Sequence, residues 1–197
     1  MSQLNTPADS KLSSALSKSL HDHWGVFLAE GILLIILGAA AIVVPFIAGV
    51  AATVFIGWVF LLAGILGLVA TFRARGAPGF GWSLASAIAA ILAGGLLLWN
   101  PLQGLVTLTY VMVAFFIVDG IFIIILAISH RRELTGRWEW MLINGLIDLI
   151  LAGIIISGLP GTILWALGLL LGIDLVFGGS SLIAIALAAR SSASRVI

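Results

Sequence analysis

Residues 38–75 read GAAAIVVPFIAGVAATVFIGWVFLLAGILGLVATFRAR. Gly38 stands seven residues before Pro45, Gly64 nineteen after it and Arg75 thirty after it. The same offsets from Pro101 fall on Gly94, Gly120 and Arg131, and from Pro160 on Gly153, Gly179 and Arg190. Glycine is common, with 23 in the chain, but Lys and Arg together number only 9, so recurring arginine carries weight. The chain is one short unit written three times, and a repeat of this kind governs how everything else is read.

The unit is apolar. Glu30 is the one ionisable residue between Trp24 and Val44, and none lies between Ala48 and Phe72. Each run reaches the roughly 20 residues that a helix needs to cross a hydrocarbon core of about 30 Å. Pro45, with no N–H and a fixed φ, suits the turn between two helices. Pro101 and Pro160 take the same place in the other copies. The expected fold is all-α and integral to a membrane, with six transmembrane helices arranged as three repeated helical hairpins. The expected spans are Trp24–Val44, Ala48–Phe72, Phe80–Trp99, Gly104–Ser129, Trp138–Ser157 and Thr162–Ala189.

Bulk composition agrees. Of 197 residues 62% are hydrophobic and 9% charged, and the mean hydropathy is +1.27. A soluble domain carries about 25% charged residues. The hairpins occupy 24–75, 80–132 and 138–190, which leaves a segment 1–23, a tail 191–197 and no room for a separate catalytic domain. A net charge of +1 gives no sign of nucleic acid, and zero cysteines exclude thiol chemistry.

Residues 1–23 are polar. Thr6-Pro7-Ala8-Asp9 has a capping-box layout, and Leu12, Leu16 and Leu20 share one helical face. A short amphipathic helix on the membrane surface is expected over Pro7 to about His21. Cleavage near Ala39-Ala40-Ala41 is not expected, because it would delete a helix that the other two copies retain.

Every Lys and Arg falls on one side of the predicted spans. They are Lys11 and Lys18, Arg73 and Arg75, Arg131, Arg132 and Arg137, and Arg190 and Arg195. The proline turns on the other side carry no charge, so both termini are expected in the cytoplasm. Each copy has an even number of spans and all three share one orientation, which suggests a pseudo-threefold arrangement about the membrane normal. Gly38, Gly64, Gly94, Gly120, Gly153 and Gly179 are read as helix-packing positions, within or between hairpins, since close backbone approach is what brings helices together in lipid.

Four carboxylates lie within the spans: Glu30, Asp119, Asp148 and Asp174. Asp148 is about 18 Å along its helix from Pro160, and Asp174 about 21 Å, so both fall near mid-membrane. No Lys or Arg lies within a span to neutralise them. Carboxylates at depth are candidates for a proton or cation path. Set against that, an acid can hydrogen-bond across a helix pair, with Asn144, Ser86, Thr107 and Thr109 as available partners. The acids do not recur at equivalent offsets, which disfavours a symmetric ring of them. His21, His23 and His130 lack the spacing and companions of a metal site, so no metal is expected. No cofactor motif, phosphate loop or nucleophile–base pairing is present, and no enzyme is expected.

The three apolar hairpins, the Gly38…Pro45…Gly64 spacing and the Arg-ended helices resemble the HdeD family. The resemblance covers about residues 20–190. It implies a bacterial inner-membrane protein built from a short repeat of unknown function and associated with acid resistance, with no catalytic residues to carry over. The expected function is an accessory role in acid or envelope stress tolerance. The expected partners are the lipid bilayer and further copies of the chain or other membrane proteins. The alternative is a small proton- or cation-conducting protein that uses the intramembrane acids.

Overall fold

The computed structural model describes residues 24–76, 78–129 and 138–193. Their order is α1 (Trp24–Val43), α2 (Pro45–Arg73), α3 (Phe80–Trp99), α4 (Pro101–Ser129), α5 (Trp138–Ser157), a 3₁₀ turn (Gly161–Leu164) and α6 (Ala166–Ala193). All six helices are long and apolar enough to cross a membrane. The amphipathic segment before Trp24, and the histidines and arginines at 21–23 and 130–137, lie outside the described residues.

Within each copy the second helix exceeds the first. α2 and α4 have 29 residues, against 20 for α1, α3 and α5. α2 and α4 open on Pro45 and Pro101, three residues before their predicted starts at Ala48 and Gly104. The first helical position needs no N–H and prefers the φ that proline already has. The third copy differs: its Leu159–Pro160 peptide is cis, and the 3₁₀ turn delays α6 to Ala166.

The chain divides into two compact units. One contains α1 and the part of α6 from Leu171 onward; the other is Val44–Leu170. In the first unit α1 packs on α6. A Cβ at Gly31 would lie 2.8 Å from the Gly179 carbonyl oxygen, and one at Gly38 would lie 2.7 Å from that of Gly172. The reverse approaches are equally close, at 2.6 and 2.8 Å. At that distance backbone meets backbone, and only the missing Cβ permits it.

In the second unit the principal pairs are α2 with α3 and α4 with α5. Gly64 sits against Ala87 and Ile91, Gly94 against Gly57 and Leu61, and Gly120 against Gly145 and Leu149. Of contacts within and between hairpins, those between predominate. The proline turn joins α3 to α4, yet these two meet only lightly, as where Gly104 faces Leu97 near the turn. The tight antiparallel partners are the second helix of one copy and the first helix of the next, not the two helices of one hairpin. The same positions do the packing each time: nineteen past the proline meets the eighth residue of the partner helix in Gly64·Ala87, Gly120·Gly145 and Gly179·Gly31.

Gly153 departs from its reading as a packing glycine, since a Cβ there would meet nothing within 4 Å. Its place is taken by Ala152, buried with Val113, Ile155 and Ala166. The reason is one added residue. Gly145 precedes its proline by fifteen, whereas Gly31 and Ala87 precede theirs by fourteen. Counting back from Pro160 therefore lands one residue, about 100°, off the packed face. The fully buried centre of this unit holds Thr53, Leu105 and Thr109. The two threonines each donate a hydroxyl to the carbonyl four residues back, at 2.8 Å, which removes the cost of burying them.

Candidate functional site: an intramembrane carboxyl pair

The glycine crossing of α4 and α5 fixes the position of two acids. Gly120 and Gly145 approach each other's carbonyl oxygens, and Leu149 closes on Gly120. Asp119 precedes Gly120 and Asp148 precedes Leu149, so the close approach brings the two acids to one crossing. Both are half-buried. They are neighbours across the α4–α5 crossing.

Asp148 Oδ2 is buried and has no hydrogen-bond partner among the described residues. Two acids placed together at a helix crossing, with no Lys or Arg within a span, make this the candidate site.

The other two acids are elsewhere. Glu30 on α1 and Asp174 on α6 are both exposed. The hydroxyl partners offered by the sequence are engaged differently. Thr107 donates to the Gln103 carbonyl at 3.0 Å and Thr109 to that of Leu105, while Asn144 and Ser86 are exposed. Among the described residues no group of three His, Cys, Asp or Glu is placed to hold a metal ion.

The Asp119–Asp148 pairing is invisible if α3 and α4 are taken as the packed pair, because Asp119 then faces the wrong partner. A signal does exist. Asp119 adjoins the glycine nineteen past its proline, and Asp148 follows Gly145 by three residues. Once those glycines are matched across copies, the acids fall together.

Comparison with known proteins identifies the repeat. The family described as Short repeat of unknown function (DUF308) matches residues 29–99 and 85–157. Protein HdeD of Escherichia coli (strain K12) is 28% identical over 159 residues, which cover 79% of this chain and 82% of that protein. Protein HdeD of Shigella flexneri is similar to the same extent. No solved structure matches. The chain is a multi-pass membrane protein and belongs to the HdeD family, whose unit is the short repeat of unknown function, DUF308.

Proposed function

We propose that this protein is a non-enzymatic accessory protein of the bacterial inner membrane that supports tolerance of acid and other envelope stress. The observation that carries the reading is its similarity to Protein HdeD across most of both chains. Both termini lie in the cytoplasm, with Arg73 and Arg75 at the cytoplasmic end of α2; six spans return the chain to the side on which it started. The protein works through contacts with lipid and with further copies of itself or other membrane proteins. Those contacts use outward aliphatic faces. The glycine rows of Gly31, Gly38, Gly64, Gly94, Gly120 and Gly179 are filled within the chain and are not open to partners.

The carboxyls serve this role as fasteners. Asp119 and Asp148 are neighbours at one helix crossing, while Glu30 and Asp174 are exposed on other helices, which supports local glue over a conducting path. The test is survival after acid challenge of a host strain lacking the gene. Survival is expected to fall and to return with either the wild-type gene or Asp148→Asn. Survival unchanged by the deletion contradicts the stress role. Rescue by wild type but not by a folded Asp148→Asn protein contradicts the accessory role and favours proton conduction.

A further inference from the structure

Pairing across copies has a geometric consequence. α3 leaves the Asn100-Pro101 turn toward α2, and α4 leaves it toward α5. The two helices diverge and open a cleft of about 530 Å³, walled by Phe60, Leu96, Leu108 and Val111 and edged by Asn100 and Gln103. We propose that this cleft is a lipid site: it takes one acyl chain of a glycerolipid, with the ester carbonyl on the Gln103 amide.

Its dimensions select the occupant. From Pro101 to Val111 the wall rises ten residues, about 15 Å, and that is half of a hydrocarbon core of about 30 Å. The cleft therefore spans one leaflet. A transmembrane helix of about 10 Å diameter would need roughly 1,200 Å³ over that length, more than twice the space present. Left empty, the walls would forfeit their dispersion contacts. A single hydrocarbon chain fills the volume at matching depth.

The rim selects the head chemistry. Gln103 N–H donates to Asn100 Oδ1 at 3.2 Å, and Asn100 Nδ2 donates to Gln103 Oε1 at 3.5 Å. This exchange caps α4 and uses the carbonyl oxygen of Gln103. Its amide nitrogen, with two N–H donors, enters no bond among the described residues and stands at the cleft edge beside Trp99, an interfacial residue type. No charged side chain lines the cleft, so the complement is a neutral acceptor, an ester carbonyl rather than a phosphate. The arrangement belongs to the second copy alone. Val44 and Ile47 stand at these positions in the first copy, and Leu159 and Thr162 in the third. Thr162 there spends its hydroxyl on the Ile155 carbonyl, at 2.7 Å.

The test is native mass spectrometry of the full chain after reconstitution in dioleoylphosphatidylcholine and release into mild detergent. Wild-type protein is expected to retain one phospholipid. Val111→Trp, which fills the wall, should lower the lipid-bound fraction about tenfold. Gln103→Leu removes the amide but keeps the backbone cap, and should lower it about threefold. Val118→Trp, exposed on the same helix outside the cleft, should change nothing. Folded wild type carrying no lipid, or full retention by both cleft variants, overturns the site. Should Val111→Trp fail to fold, Gln103→Leu decides alone.

Discussion

Gly168→Ala is expected to destabilise the protein by about 3 kcal/mol, at the upper end of overpacking costs. The effect is large because the obstruction is backbone. A Cβ on Gly168 would run into the Pro45 carbonyl oxygen and lie 2.9 Å from the Gly49 nitrogen. A crowding side chain can rotate away; a helix carbonyl moves only with its helix. Gly153→Ala is expected to act with the opposite sign. That glycine lies inside α5 with nothing within 4 Å of its Cβ position, so alanine should stabilise by about 0.5–1 kcal/mol through helix propensity alone. Unfolding titrations of both variants in mixed detergent measure the difference. Equal effects at the two sites would contradict the packing described for them.

Asp148→Leu is expected to cost about 2 kcal/mol, because it leaves the half-buried Asp119 without its partner. Adding Asp119→Leu should recover part of that loss. A double-mutant cycle between them should return a coupling of about 1 kcal/mol, within the range of interhelical hydrogen bonds in membranes. Asp148→Asn should be nearly neutral, since its amide can donate to the Asp119 carboxyl. Asp174→Leu, on an exposed position of α6, should fall within about 0.5 kcal/mol of wild type. Additive losses at 119 and 148 would mean that the carboxyls do not clasp the helices.

The spans are legible in the sequence because hydrocarbon thickness imposes a length and excludes charge, and both constraints are written residue by residue. The glycines at Gly64, Gly120 and Gly179 are legible for a related reason: three copies placed under one packing demand keep the same residue. Helix pairing is another matter. Gly94 and Gly120 look alike whether they face each other or separate neighbours, and a short turn at Pro101 suggests adjacency without enforcing it. The pairs instead form across residues 74–79 and 130–137, stretches long enough to let each helix settle on the next copy. The nearness of Asp119 to Asp148 follows from that pairing and is hidden with it. Gly153 misleads for a local reason, because one residue added before Pro160 rotates the packed face onto Ala152.

The pairing of α2 with α3 is tested most directly by disulfide formation. The chain has no cysteine of its own. A Cβ at Gly67 would lie 3.5 Å from the Ala87 Cβ, and disulfide-linked Cβ atoms stand about 3.5–4.5 Å apart. Gly67→Cys with Ala87→Cys should therefore cross-link readily within one chain under mild oxidation in the membrane. Trp82→Cys with Val118→Cys, outward-facing positions at equal distances from the Asn100 turn, should not. Efficient cross-linking of the second pair and none of the first, with both sets of thiols reactive, would restore the simple hairpin and contradict the pairing of each copy with the next.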